Sequence, residues 1–171
     1  KSYNKRVVAN YETMKTIVEI ADADNAYIKQ LKIKQAQENA ALVAPEYYIV
    51  PKAWQKVIDR LKVHNVQMKE MVKDTLMKVD YYQIDDFKTV TTPFEGHYLH
   101  YDTQASIHKD SVRVYKGDYM VPTAQLAKRY LIEVLTPTEV DSFFNWNFFD
   151  SVLGKDVKYP ILMTNDKLTI N

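Results

Sequence analysis

The spacing of apolar residues changes twice along this chain, and this change limits the possible folds more than any other feature. In residues 7–21 apolar side chains recur at helical spacing. From Val66 the period becomes two, most clearly in TLMKVDYYQI at 75–84, where apolar and polar residues alternate. After Thr123 the helical spacing returns. This order predicts an α+β chain: an N-terminal helical segment, then a mainly antiparallel, sandwich-like β domain with C-terminal helices.

The alanine-rich stretch QENAALVAPE at 37–46 is weakly patterned and marks the predicted domain boundary. We expect residues 1–40 to form a helical segment that is the end of a preceding domain or a linker from it. We expect residues 46–171 to form the C-terminal α+β domain. Its last stretch, VKYPILMTNDKLTIN, is expected to add one strand at an edge of the sheet.

Short segments carry signals for individual elements. The apolar stripe within 53–61 predicts a helix, and His64-Asn65 predicts its end because Asn tolerates a left-handed backbone. The dipeptide Lys116-Gly117 predicts a turn between two strands. Strands are predicted at 46–51, 75–84, 96–102, 105–108 and 111–121.

The composition argues against several classes of function. With a formal net charge of +1, the chain offers no electrostatic case for binding nucleic acid or an anionic membrane. It has no cysteine, which excludes disulfides and cysteine-ligated zinc. Its three glycines, Gly96, Gly117 and Gly154, lie far apart, whereas a P-loop or a dinucleotide-binding turn needs several close together. No apolar run is long enough to span a bilayer, so no transmembrane segment is expected.

The stretch EGHYLHYD at 95–102 raises the question of a metal site or a catalytic cluster. His97 and His100 would share one face of a helix, but on a strand they would point to opposite sides. Gly96 and the neighbouring tyrosines favour a strand, and zinc usually needs a third protein ligand. We therefore expect structural hydrogen-bonding roles for both histidines, and they remain only weak candidates for metal binding.

The segment DSFFNWNFFD at 141–150 is unusually aromatic and is predicted to be a helix. Since Phe143, Trp146 and Phe149 would cover much of its circumference, such a helix would be buried on several sides. A core element or a domain contact is favoured over a ligand platform, because aromatic stripes usually serve packing. These three residues, with Tyr98 and Tyr101, are the candidate binding or domain-contact residues.

Several motifs together resemble the C-terminal region of large secreted bacterial zinc carboxypeptidases of the carboxypeptidase A-like family. The most specific is KGDYMVPTAQLAKRYLIEVLTPTEVDSFFNWNFFD at 116–150, preceded by EGHYLHYD. The stretch YYIVPKAWQKVIDRLKVHNVQM at 47–68 looks like the start of that region. The stretch RVVANYETMKTIVEIA at 6–21 is similar to the helix that follows the family's catalytic domain.

The resemblance implies that the chemistry lies elsewhere in the parent protein. The family binds zinc through a His-x-x-Glu pair and a distant histidine, and uses a separate glutamate as general base. The four histidines of this chain stand in HNVQ, HYLH, HYDT and HKDS, none of which is His-x-x-Glu. No catalytic or metal-binding residue can therefore be carried over, and zinc is expected only in the parent's catalytic domain.

Three hypotheses about function follow. The first is a non-catalytic accessory domain of a secreted or periplasmic metallocarboxypeptidase-like protein. It would stabilise the preceding peptidase domain, which is its partner, or present a peptide substrate to it. The second is a free-standing module that binds peptide or glycan in a groove lined by exposed tyrosines, with Tyr98, Tyr101, Tyr115 and Tyr119 as the candidates. The third is a free-standing hydrolase that uses His97 or His100 as its base.

Overall fold

The structure, a computed structural model, describes residues 25–26, 28–30, 44–152 and 156–166. The chain divides into two compact units, Lys1–Leu42 and Val43–Asn171. In the first unit the described residues are helical. The remainder of the predicted helical segment 1–40 lies outside the described residues.

Six strands form one antiparallel sheet in the spatial order β2-β5-β1-β6-β3-β4. The α+β prediction is confirmed. The sandwich-like part of it is supported only in part, because all six strands belong to one sheet with apolar clusters on both of its faces. The strands are β1 (Tyr47–Val50), β2 (Lys69–Glu70), β3 (Thr75–Thr89), β4 (His100–Val114), β5 (Tyr119–Pro122) and β6 (Val157–Thr164).

Two α-helices and a short 3-10 helix accompany the sheet in the described part of this unit. Helix α1 is Gln55–Val63, helix α2 is Lys128–Leu135, and the 3-10 helix is Asp150–Val152. The predicted end of α1 is confirmed, since Asn65 follows it with a φ of +54°. Among the described residues, no helix combines the length and the apolar character needed to cross a bilayer.

Alternation along the strands sends apolar side chains to two different faces. On β1, Tyr48 and Val50 contribute to one core cluster and Ile49 to the other. We call the first cluster the helix-covered core, because α1 and α2 pack into it through Ile58, Leu131 and their neighbours. The second, the methionine-rich core, consists of Ile49, Met71, Met77, Val79, Val114 and Met120.

The central part of the sheet contains fewer and longer strands than predicted. The residues assigned to strands at 105–108 and 111–114 belong to the single strand β4, which begins at His100. The predicted strand at 96–102 is therefore wrong in its first half, where Phe94 and His97 close a tight turn through an isolated bridge. The turn at Gly117 is confirmed: its φ is +91° and an added Cβ would lie 3.0 Å from Lys52 Cδ.

The position predicted for the last strand is wrong. Strand β6 is not at an edge; it lies between β1 and β3 in the interior of the sheet. Its Pro160 has no N–H to donate, and the register with β3 shifts there, between Tyr81 and Gln83. This register shift accommodates the proline inside the sheet.

The aromatic segment 141–149 is a series of turns and not the predicted helix. The side-chain amide of Asn145 donates to the carbonyl oxygens of Glu139 and Val140, and its backbone N–H donates to Ser142 Oγ. Asn147 has a left-handed backbone with a φ of +65°. The helix prediction is wrong because polar side chains bond the local backbone in place of helical partners.

Candidate functional site around Trp146

The turns of 141–149 separate the aromatic side chains into a buried and a surface group. Phe143 and Phe149 are buried in the helix-covered core, and Phe149 packs edge-to-face on Trp54 with ring centroids 4.7 Å apart. Trp146 is half-buried at the surface. Its indole ring lies 5.6 Å from the ring of His97 and 6.4 Å from that of Phe94. The sequence pattern had grouped Phe143, Trp146 and Phe149, but of these three only Trp146 lies at the surface.

One concavity beside Trp146 carries a cationic excess, and we call it the basic concavity. It has a volume of about 500 Å³ and is lined by Trp146, His97 and the exposed side of α1. From α1 come Lys56, Asp59 and Arg60. Asp59 Oδ1 accepts a hydrogen bond of 2.7 Å from Gln55. Two cations therefore face one carboxylate beside an aromatic ring.

A second concavity on Trp146 is lined by acidic and hydroxyl groups, and we call it the acidic concavity. It has a volume of about 430 Å³, and its lining includes Tyr101, Asp102, Thr103, Asp141 and Val140. Asp141 Oδ1 accepts a long hydrogen bond of 3.4 Å from the Trp146 indole N–H.

The carboxylate of Asp102 in this concavity already has a cationic partner. Lys88 Nζ donates to Asp102 Oδ2 at 2.6 Å. The hydrogen bond and charge of Asp102 raise the pKa of the Lys88 ammonium. Thr103 Oγ donates to Asn145 Oδ1 at 2.8 Å, which ties β4 to the aromatic segment. Asp102 and Thr103, which line the acidic concavity, therefore both have hydrogen-bond partners.

His100 is a buried link between three segments. Its Nδ1 lies 2.9 Å from Thr89 Oγ, and its Nε2 lies 3.1 Å from Asp150 Oδ1. Its ring packs against Phe87 and Phe144, with centroids 4.6 and 5.3 Å away. If the Thr89 hydroxyl donates to Nδ1, the Nε2–H donates to the Asp150 carboxylate, and both ring nitrogens are occupied. This arrangement suits a structural histidine better than a base or a metal ligand.

His97 has a different environment from His100. It belongs to the turn closed with Phe94 and is half-buried against Trp146. The two imidazoles contact different partners, and the described residues contain no group of three or more His, Cys, Asp or Glu able to hold a metal ion. The donor set around His97 and His100 therefore does not fit a three-ligand zinc site of the kind the resemblance describes.

The candidate tyrosines lie at the surface on either side of this region. The exposed fraction of Tyr98 is 53% and that of Tyr101 is 44%. The carbonyl oxygen of Tyr98 accepts a 2.8 Å hydrogen bond from the Asn147 amide, so the loop before β4 is fixed to the aromatic segment. Of the two, Tyr101 lines the acidic concavity beside Trp146.

A serine and a histidine that the sequence patterns did not single out meet on the exposed face of β4. Ser106 Oγ donates to Asp85 Oδ1 at 2.9 Å and lies 3.0 Å from His108 Nε2. In this arrangement the serine hydrogen goes to the carboxylate, so the His108 Nε2–H donates to the serine oxygen. Residues two apart on a strand share a face, and that spacing could have revealed the pair.

Comparison of this chain with family models, with curated proteins and with solved structures found no match. The resemblance to the zinc carboxypeptidases therefore rests on the sequence motifs.

Proposed function

We propose that this chain is a non-catalytic accessory domain of a secreted or periplasmic metallocarboxypeptidase-like protein. In this proposal its Trp146 surface contacts the preceding peptidase domain or presents peptide to it. One observation carries the proposal. The aromatic segment that resembles the family buries Phe143, Phe144 and Phe149 in the core, yet leaves its single tryptophan between two concavities. Tryptophan at such a position is a typical anchor for a partner surface.

The state of the histidines supports the non-catalytic part of the proposal. His100 is buried with both ring nitrogens engaged, and His97 packs against Trp146. His108 Nε2 lies 3.0 Å from Ser106 Oγ, whose hydrogen is donated to Asp85. A hydrolytic base needs a free nitrogen lone pair beside a nucleophile or a water, and the buried His100, with partners on both ring nitrogens, is not arranged to supply one.

The test has two parts. This chain alone, supplied with zinc, is expected to release no C-terminal residue from peptides. In the polypeptide that joins it to the peptidase domain, Trp146→Ala is expected to lower peptide hydrolysis or the melting temperature of the peptidase domain. Tyr115→Ala is the matched control, because Tyr115 is an exposed aromatic residue that lines neither concavity. Hydrolysis by the isolated chain, or equal behaviour of both variants, would overturn the proposal.

A free-standing peptide- or glycan-binding module is the second candidate, and the acidic concavity favours it. Tyr101 and Trp146 line that concavity together with Asp102, Thr103 and Asp141. Aromatic faces and carboxylate acceptors suit the apolar faces and hydroxyl donors of a sugar. Titration of the chain with soluble oligosaccharides, followed by chemical shifts of the two aromatic rings, distinguishes this candidate. Saturable shifts that Tyr101→Ala abolishes support it, and unchanged spectra exclude the glycan form of it.

A further inference from the structure

The basic concavity combines two positive side chains with an aromatic wall. Lys56 and Arg60 are four residues apart on α1, so their side chains leave the same face of the helix. Both are exposed and border the concavity that Trp146 and His97 close on the other side. Within the described residues neither cation forms a salt bridge, while the carboxylate between them, Asp59, accepts from Gln55.

The net charge of the concavity limits the kinds of ligand that it can bind. Two permanent positive charges and one negative charge leave the concavity with a net charge of +1. A guanidinium binds a carboxylate through two parallel hydrogen bonds, and a neighbouring ammonium adds a point charge. One excess positive charge matches a single carboxylate better than a polyphosphate or a nucleic acid backbone, which needs several cations along a groove.

The apolar lining limits the ligand further. Trp146, Phe148 and the exposed Val63 border the same concavity as the cations. A ligand that fills the volume therefore needs a flat or apolar body next to its negative group.

We propose that the basic concavity binds a peptide carboxylate adjacent to an apolar or aromatic residue, with Arg60 and Lys56 on the carboxylate and Trp146 against the apolar side chain. The carboxylate comes from a peptide C-terminus or from an Asp or Glu side chain. Either source presents the same negatively charged group to Arg60 and Lys56. The inference rests on the peptide-presenting part of the proposed function and adds the recognition element.

The experiment titrates the full chain with four versions of one short N-acetylated peptide that ends in Phe-Glu or Phe-Gln. Each sequence is made with a free and with an amidated C-terminus. Binding is followed by calorimetry and by indole chemical shifts, with Trp146→Phe used to assign the signal. We expect the Phe-Gln amide to bind at least about tenfold more weakly than the versions that keep a carboxylate, since a charge-assisted bidentate pair is worth roughly that factor. The two single-carboxylate peptides show which source is preferred.

Matched variants distinguish specific binding in the basic concavity from non-specific electrostatic attraction. Arg60→Gln is expected to weaken binding about tenfold, and Arg113→Gln, an equal charge change on exposed β4, is expected to leave it unchanged. Melting temperatures of both variants check that folding is intact.

Three results would overturn the inference: equal affinity for all four peptides, equal effects of the two arginine variants, or no binding of any peptide. Equal affinity still allows peptide presentation without carboxylate recognition. If no peptide binds, the peptide-presenting part of the proposed function is also wrong. The proposed contact between Trp146 and the peptidase domain is then still open, and the Trp146→Ala experiment tests it separately.

Discussion

The two faces of the sheet are built from different kinds of side chain. The helix-covered core contains the large rings of Tyr48, Phe144, Phe149 and Tyr159, all almost fully buried. The methionine-rich core is small, and three of its six buried members are methionines. Rings packed edge-to-face fix one another's positions, whereas methionine adapts to irregular space. The helix-covered core therefore determines the path of the aromatic segment, and with it the position of Trp146. The methionine-rich core requires mainly that its apolar volume be filled.

Truncation of a ring in the helix-covered core has the largest expected effect. Phe144 is fully buried and contacts the rings of Phe87, His100 and Tyr159. Phe144→Ala is expected to lower the free energy of unfolding by about 3–5 kcal/mol, measured by urea denaturation. The indole signal of Trp146 should change in the folded variant, because the support of the aromatic segment is lost.

The matched change on the other face sharpens the comparison. Met120→Ala is expected to cost about 2–3 kcal/mol, and Met120→Leu less than about 1.5 kcal/mol, because nearly equal volume suffices there. Neither variant should alter the Trp146 signal. If Met120→Ala disturbs Trp146 as much as Phe144→Ala does, the two faces do not act separately.

The helix-covered core also contains two buried tyrosines with different hydroxyl environments. Tyr48 Oη lies 3.4 Å from Thr136 Oγ, whereas Tyr159 Oη has no hydrogen-bond partner among the described residues. Tyr159→Phe is expected to leave stability unchanged or raise the free energy of unfolding by about 1 kcal/mol, because an unsatisfied hydroxyl is removed. Tyr48→Phe should instead lower it by about 0.5–1 kcal/mol. Thermal unfolding of both variants tests the difference, and a loss of 2 kcal/mol in Tyr159→Phe would show that its hydroxyl is satisfied.

The smallest effect appears at high pH. Burial raises the pKa of Tyr48 to about 12, and burial raises that of Tyr159 well above its usual range. Between pH 10 and 12 the unfolded chain loses these protons while the folded chain keeps them, so the folded state binds more protons and stability falls as pH rises. By pH 10.5 Tyr48 alone is expected to account for at most about 1 kcal/mol of that fall. The decline between pH 9 and 10.5 should be shallower in Tyr48→Phe, and an identical decline would contradict the assignment.

Local signals in the sequence predict the elements that local interactions determine. The alternation of β3, the apolar stripe of α1, its end at Asn65 and the turn at Gly117 all depend on nearby residues. The interior position of β6 could not be predicted, because it depends on pairing with β1, more than 100 residues earlier. The turns of 141–149 were missed for a related reason: Asn145 and Ser142 offer bonds that a count of apolar residues does not include.

In the candidate site, too, local sequence signals predict some residues and miss those that depend on distant contacts. The patterns singled out Trp146 and His97, and the structure brings their rings together. They also grouped Phe143 and Phe149 with Trp146, although both are buried in the core. Lys56 and Arg60 were missed, because on the sequence alone they look like the solvated side of an amphipathic helix. Only the turn that carries His97, folded beside α1, makes them part of a concavity.

The interior position of β6 has a consequence for how this domain is made. As the ribosome extends the chain, β3 and β4 can pair early, since they are neighbours in both sequence and space. Strand β1 can pair with β5 on one side, but its partner on the other side, β6, is translated more than 100 residues after it. Until β6 inserts between them, the β1–β5 half and the β3–β4 half remain two separate ribbons with open edges. A stop codon before Val157 would thus leave two unpaired edges at the centre of the domain and expose them to aggregation.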